Sequence, residues 1–227
     1  MERNALAAPC GEDTEEGDRR VTGSLRLPVL ITLLLAAVLV TGTGSNLAAQ
    51  TATYRLDKDY TAINFSWSHV GLSRQSARLT GAEGRVTFDP ANPEASTIDV
   101  TMKAANITTG IRDFDLLIKS PDYFNAAQFP LIMFKSTAIR QLSDKTGQVM
   151  GDLTIKGVTR QVALSVVWNF SGEHPLAKVN PNYRDVQVAG FSATAVLRRS
   201  DWDLSLAIPF VSDEIRLSIE TELIMSE

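Results

Sequence analysis

The chain has 227 residues, of which 44% are hydrophobic and 21% charged, a composition typical of globular proteins and unlike that of a disordered chain. Its net charge of -4 argues against nucleic-acid binding, which requires a basic surface. The length allows one domain or at most two, with enough residues to bury a core.

The first element in chain order is an apolar run near the N-terminus. Residues 27–40, LPVLITLLLAAVLV, follow Arg26 and precede a small, polar segment that includes Ala49. The run has the length of a signal-peptide core and is shorter than the roughly 18 to 20 residues that a membrane span needs. We therefore expect residues 1–49 to be a cleaved export signal and residues 50–227 to be a periplasmic or secreted domain. The alternatives are that the run anchors the chain in the inner membrane or forms a buried helix.

Cleavage would change the chemistry available to the mature chain. The leader is unusually long for a signal, which leaves open a translation start downstream of Met1. The single cysteine, Cys10, precedes the apolar run and would be lost with it. The mature chain would then have no disulfide, no thiol nucleophile and no thiolate metal ligand, so its stability would come from packing.

Alternation of apolar and polar residues recurs from residue 54 to the C-terminus. In INFSWSHVG, Ile63, Phe65 and Trp67 alternate with polar residues, and alternate residues of a strand share one face. The same alternation marks GRVTFDP, STIDVTMKA, LIMFKSTAI, GQVMGDLTIKG, QVALSVVWNF, VAGFSATAVLRRS and EIRLSIETEL. We count about eight strands, and one-sided alternation is typical of antiparallel sheets. A sheet of this size closes into a barrel or splits into a sandwich.

One segment breaks this alternation. Within residues 108–124, TTGIRDFDLLIKSPDYF, Ile111, Phe114 and Leu117 recur at helical spacing, and Pro121 stops the run. Acidic residues come early and a lysine comes late, as the helix dipole favours. The pattern predicts one short helix between the third and fourth strands, lying over the barrel or plugging one end.

Large aromatic side chains fall on the apolar face of their strands. They are Phe65, Trp67, Phe88, Phe134, Trp168 and Phe191. They indicate either a channel that grips a prenyl or acyl chain or a filled barrel core, and strand parity does not separate the two. An apolar channel would suffice as a lipid site, since it stabilises a tail by about 0.8 kcal/mol per buried CH₂.

A few polar side chains could meet a ligand at the channel mouth. His69 follows the aromatic row of its strand, and it would contact a head group or simply bond to backbone at the strand end. Arg112, Arg198 and Arg199 could bind a phosphate through the planar guanidinium, or be ordinary solvated charges. With two histidines far apart in sequence, we expect no metal site.

Five segments in order resemble the YceI-like family, exported bacterial proteins also described as polyisoprenoid-binding or lipid-binding and lipocalin-like. GDLTIKGVTRQVAL resembles its strand–turn–strand signature, and the others are SHVGLS, IKSPDYFNAAQFPLIMFKST, GFSATAVLRRSDWDL and VSDEIRLSIETEL. The resemblance covers roughly residues 53–224. It departs after Asp57, where the family often has a His-Ser pair and this chain has Tyr60-Thr61.

The resemblance implies an all-β fold, an extended antiparallel barrel of about eight strands with a long apolar channel. The channel would hold a polyisoprenoid, quinone-like or fatty-acid-like lipid without catalysis, cofactor or metal. The ligand-binding residues would be Ile63, Phe65, Trp67, His69, Phe88, Phe114, Leu117, Phe134, Trp168 and Phe191, with Arg112 and Arg198 as head-group candidates. A cytochrome b561-type membrane protein is the partner hypothesis, and a homodimer stays open.

Two other functions compete with a lipid carrier. The first is a lipid-modifying enzyme that uses the same channel, which would need a polar catalytic set on an interior where His69 is almost the only such residue. The second is an envelope stress or redox interaction module whose barrel is filled by its own side chains. An open channel along the barrel axis would argue against the second.

Overall fold

The computed structural model of the protein describes residues 51–226. The strands are β1 Ala52–Leu56, β2 Ala62–His69, β3 Ser73–Leu79, β4 Glu83–Phe88, β5 Thr97–Lys103, β6 Ile107–Thr108, β7 Leu131–Gln141, β8 Thr146–Ile155, β9 Val158–Glu173, β10 Gln187–Arg198 and β11 Glu214–Met225. The helix α1 is Arg112–Lys119, and short 3₁₀ turns are Pro93–Ala95, Ala104–Asn106, Pro181–Tyr183 and Arg199–Trp202. The expected export signal, residues 1–49, lies outside the described residues. Within residues 51–226, no helix is long and apolar enough to cross a membrane.

Eight strands form a closed antiparallel ring in the order β1-β4-β5-β7-β8-β9-β10-β11, and β11 closes the ring by pairing with β1. Tyr54 lies opposite Met225 in this closing pair. Closure leaves no free strand edge in the ring, so all the backbone groups along it can be paired. The predicted all-β, lipocalin-like barrel of about eight antiparallel strands is confirmed.

Besides β10, the last strand, β11, pairs with two strands, β1 and β2. The C-terminal end of β11 pairs with β1, whereas its N-terminal half pairs with β2, where Leu217 lies opposite Phe65. β3 and β6 continue the sheet beyond β2. Residues 73–88 form two strands, β3 and β4, separated by a turn at Gly81, whose φ is 67°. The helix therefore follows the sixth strand and not the third, since the alternating segments counted from the sequence before it are β2, β4 and β5 and do not include β1, β3 and β6.

Side chains alternate between the inside and the outside of the ring. In β9, Val162 and Leu164 are buried, while Ala163 between them is exposed. In β7, Ile132 and Phe134 are buried in the same alternation. Most buried hydrophobic residues belong to a single cluster inside the barrel. The period of two in the sequence thus determines which face of each strand packs inward.

α1 packs against the end of the barrel where β2 stops. The Phe114 ring lies edge-on to Trp67, with ring centroids 5.9 Å apart. Ile118, one turn further along the helix, is buried. The helix ends before Pro121, which cannot continue it. This position agrees with the expectation of a short helix that covers one barrel end.

A carboxylate fixes the start of α1. Asp115 accepts hydrogen bonds from the Thr109 amide at 2.5 Å and from the hydroxyls of Thr109 and Thr108 at 2.7 Å each. These bonds, with the Thr109 amide contributing most, lower the pKa of Asp115 to about 2. Because Thr108 ends β6, the carboxylate ties the helix to the sheet.

Candidate ligand-binding cavity

An apolar cavity of about 450 Å³ occupies the inside of the barrel. Its volume lies within the range of about 300–1,000 Å³ that small-molecule sites show. Side chains from all eight strands of the ring, from β2 and from α1 line it. The barrel is therefore not filled by its own side chains, which contradicts the interpretation as a module with a solid core.

The cavity has two distinguishable ends. The helix end is the one with α1 and His69, and the hairpin end is the one where residues 142–145 join β7 to β8. Leu117 at the helix end borders the cavity while 43% exposed, and Lys145 borders it at the hairpin end and is also exposed. Both ends thus include side chains that reach solvent.

All ten residues that the sequence proposed as a lining do border this cavity. They are Ile63, Phe65, Trp67, His69, Phe88, Phe114, Leu117, Phe134, Trp168 and Phe191. Eight of them lie on the inward parity of strands of the barrel sheet, and the other two come from α1. Their binding of a ligand stays a prediction.

Aromatic rings cluster at the helix end. The Phe65 ring lies 5.9 Å from that of Trp67 and 6.3 Å from that of Phe124, between ring centroids. Trp67 in turn contacts Phe114 of α1. Sequence reasoning missed Phe124, because it follows Pro121 in an irregular segment where no strand or helix period assigns a face.

A second aromatic group closes around the hairpin end. Phe88 lies edge-on to both Trp168 and Phe191, with centroid distances of 5.2 Å in each case. The Lys145 ammonium lies 3.8 Å from the centre of the Trp168 ring, a cation–π contact. The indole nitrogen of Trp168 is buried and has no hydrogen-bond partner within the described part of the chain.

The polar candidates divide into one that borders the cavity and two that do not. His69 is exposed at the rim, and its carbonyl accepts a hydrogen bond from the Leu72 amide at 3.0 Å. Arg112 and Arg198 are both exposed and do not line the cavity. Arg198 follows the inward-facing Leu197, so strand alternation directs it outward. A head-group role for these two arginines stays a prediction that the geometry does not support.

Arg199 is the arginine that the structure brings to the cavity. It is only 7% exposed and lines the helix end. Its Nε donates to the Ser212 carbonyl at 2.9 Å. Its Nη2 donates to the carbonyls of Leu206 at 2.9 Å and Val211 at 2.8 Å, and its Nη1 donates to that of Leu204. The guanidinium therefore holds the segment 204–212, whose Leu204 and Val211 also line the cavity.

Burial perturbs this guanidinium without discharging it. Desolvation lowers the pKa of Arg199, while the nearby Tyr123 and Asp213 act in the opposite direction. Arginine stays protonated in proteins at ordinary pH, so the cavity wall carries a positive charge at this point. From the sequence alone, Arg198 and Arg199 are alike head-group candidates. Because Leu197 faces inward, strand alternation directs Arg198 outward and Arg199 inward.

The cavity lining of the described residues is mostly apolar. Residues 51–226 contain no group of three or more His, Cys, Asp or Glu side chains that could hold a metal ion. The second histidine, His174, stacks on Tyr183 with ring centroids 3.9 Å apart and does not line the cavity. Such an apolar cavity can shield a chain-like apolar ligand from water.

A family model described as a YceI-like domain matches residues 54–223. The chain belongs to the YceI-like family. The chain is also similar to a solved structure, that of the Campylobacter jejuni YCEI protein, with a TM-score of 0.62 and 26% sequence identity. The matched region covers 70% of this chain and 90% of that protein.

Two further relatives extend the YceI-like comparison. A protein of Ectopseudomonas mendocina (strain ymp) named UPF0312 protein is 31% identical over 195 residues, which cover 85% of this chain and 95% of the relative. A domain from Saccharophagus degradans, described as polyisoprenoid binding and implicated in plant cell wall breakdown, has a TM-score of 0.53. It is 13% identical and covers 78% of this chain and 100% of its own, so this likeness shows the fold alone.

Proposed function

We propose that this chain binds a long-chain amphiphile, a polyisoprenoid, quinone-like or fatty-acid-like lipid, inside its barrel and releases it unchanged. The observation that carries the proposal is the apolar cavity of about 450 Å³ enclosed by a closed ring of strands. Each buried CH₂ of a ligand contributes about 0.8 kcal/mol, so a long tail gains several kcal/mol from the apolar lining alone.

Membership of the YceI-like family and the shared fold of the Saccharophagus degradans polyisoprenoid-binding domain support a lipid ligand. The lining supports binding over catalysis. Its titratable residues are His69, Tyr123, Arg140, Asp144, Lys145 and Arg199. His69, Arg140, Asp144 and Lys145 are exposed at the two ends, and Tyr123 is partly exposed. Arg199 is held by four backbone carbonyls.

We further propose that the protein works in the cell envelope after export. The support is the sequence of residues 27–40, whose length suits a signal-peptide core. N-terminal sequencing of protein from the periplasmic fraction is expected to begin just after Ala49. An intact N-terminus in the membrane fraction would favour the anchor instead. A cytochrome b561-type partner and a homodimer are proposals that co-purification and sedimentation would test.

Organic extraction of the purified protein, followed by mass spectrometry, tests the lipid proposal. A long-chain lipid should be released in nearly stoichiometric amount. An extract free of lipid, together with no uptake of added prenyl lipid, would contradict the proposal.

Two matched variants separate cavity binding from surface adsorption. Ala193 is buried in β10 and lines the cavity, whereas Ala163 of β9 is exposed on the outer face. Ala193→Phe places a ring inside the cavity and should strongly reduce the extracted lipid. Ala163→Phe makes the same chemical change outside and should leave the lipid content as in the unmodified protein. Equal lipid content in the two variants would place the lipid outside the barrel.

A further inference from the structure

Arg199 brings a charge into the cavity wall that no carboxylate neutralises directly. Within residues 51–226, the ion pair that the structure contains joins Arg216 to Glu214, both exposed. Asp213, the acidic neighbour of Arg199, instead accepts hydrogen bonds from the Ser200 amide and hydroxyl, each at 2.9 Å. Burying a charge is costly unless an opposite charge or strong hydrogen bonds compensate it.

The backbone compensates this charge only in part. A guanidinium has five N–H donors, and the carbonyls of the segment 204–212 accept four hydrogen bonds from Arg199. One donor of Nη1 therefore has no partner within the described residues. Carbonyl oxygens carry partial charges, so the net positive charge remains at the cavity wall. An anionic oxygen in the cavity would supply both the missing acceptor and the opposite charge.

The two ends of the cavity differ in this respect. The cations at the hairpin end, Arg140 and Lys145, are exposed, and water already solvates them. The adjoining interior is formed by the rings of Phe88, Trp168 and Phe191, which suit a hydrocarbon tail. The buried cation lies at the helix end. The asymmetry gives an amphiphile a preferred direction.

We propose that the cavity takes an amphiphile with an anionic oxygen head group, a carboxylate or a phosphate, bound at Arg199 with its chain directed toward the hairpin end. This inference rests on the proposed function and adds the class and orientation of the ligand. A carboxylate and a phosphate offer the same chemistry to the guanidinium, so both belong to the test.

The first experiment varies the head group on one chain length. Dissociation constants are measured for hexadecanoate, hexadecyl phosphate, hexadecanol and hexadecane with the mature protein. At least one of the two anions should bind ten or more times more tightly than hexadecanol, and the stronger anion identifies the head-group type. In Arg199→Gln this preference should fall to about one, whereas Arg199→Lys should keep part of it.

The second experiment measures the orientation of the bound amphiphile in variants that keep Arg199. It therefore tests the proposal even if Arg199→Gln does not fold. Trp67 and Trp202 lie toward the helix end and Trp168 toward the hairpin end. In Trp168→Phe, 2-bromohexadecanoate should quench tryptophan emission more than 16-bromohexadecanoate does. In the double variant Trp67→Phe/Trp202→Phe, the order of the two probes should reverse.

The outcomes separate the two proposals. Hexadecanol and hexadecane that bind as tightly as the anions would overturn the head-group inference and leave the lipid-binding function standing. Quenching in the opposite order would overturn the orientation. If none of the four compounds binds, the proposed function fails, and the head-group inference fails with it.

Discussion

Lengthening the chain of a bound amphiphile should tighten its binding by about fourfold per CH₂, up to a limit set by the barrel. The factor follows from about 0.8 kcal/mol per buried CH₂, because 1.4 kcal/mol corresponds to a tenfold change in Kd. The cavity is lined almost wholly by apolar side chains, so each added CH₂ exchanges water for such a surface. No hydrogen bond is needed for this increment.

The length of the barrel gives the limit. Ile215 and Leu223 of β11 both line the cavity and lie eight residue steps apart. Eight steps of about 3.3 Å give about 26 Å along the strand. A strand tilt of about 40° reduces this to about 20 Å along the barrel axis. Affinity should therefore rise steeply with chain length and level off once the chain spans about 20 Å.

Displacement of a fluorescent fatty acid by saturated carboxylates of increasing length measures this dependence, below the concentration at which each ligand forms micelles. In Ala193→Phe the affinity should level off at a shorter chain, because the added ring occupies part of the channel. Ala163→Phe serves as the outer-face control. A Kd that does not change with chain length would refute the reasoning, as would a slope that continues without a break.

Three further predictions concern the framework around the cavity. Asp115→Asn should lower the free energy of unfolding at pH 7. The difference from wild type should vanish as the pH falls toward about 2, because the pKa of the carboxyl is about 2 in the folded protein and near 3.8 in the unfolded chain. Urea titrations at several pH values measure this difference. Gly151→Ala should cost about 1–3 kcal/mol in urea unfolding, because the added Cβ would lie 2.4 Å from the Phe134 ring. Trp202→Phe should cost about 1–3 kcal/mol by the same measurement, because it leaves the buried Leu153 carbonyl without the 3.1 Å hydrogen bond from the indole.

Each of these variants has a control in the same chain. Asp113→Asn changes an exposed carboxylate of the same helix and leaves the hydrogen bonds of Thr108 and Thr109 to Asp115 in place, so it should lower stability at pH 7 by less than Asp115→Asn. Gly190→Ala adds a Cβ whose nearest neighbour is 4.0 Å away, so it should cost less than Gly151→Ala. Trp168→Phe removes an indole N–H that has no partner within residues 51–226, so it should cost less than Trp202→Phe. Equal losses within a pair would contradict the corresponding reason.

The strands of the barrel could be predicted from the sequence because the alternation of apolar and polar residues shows which side chains of each strand face inward. Phe65, Trp67, Phe134 and Trp168 could be assigned to one interior because each sits in step with other apolar residues of its strand. A slip by one residue would turn every such side chain outward, so parity and burial are tightly linked. The YceI-like motifs added the closure of the sheet, which alternation alone left open.

The rest of the cavity wall could not be predicted from this alternation. Phe124, Leu204 and Val211 lie in segments without a regular period, so only the folded chain brings them to the lining. The role of Arg199 was equally hidden, because its carbonyl acceptors come from an irregular segment that local propensity does not describe. A ring of apolar residues encloses a cavity only if the summed volume of its side chains is smaller than the interior of the barrel. Strand parity gives the direction of each side chain but neither of these volumes.

The pairing of β11 with both β1 and β2 has a consequence for biogenesis. Tyr54 and Met225, which meet at the seam, are 171 positions apart in the chain. Contacts so distant in sequence are slow to form, and the ring cannot close before β11 has been synthesised. A premature stop before residue 214 would remove β11 and leave β1 and β10 as unpaired edges, which would make the truncated protein prone to aggregate.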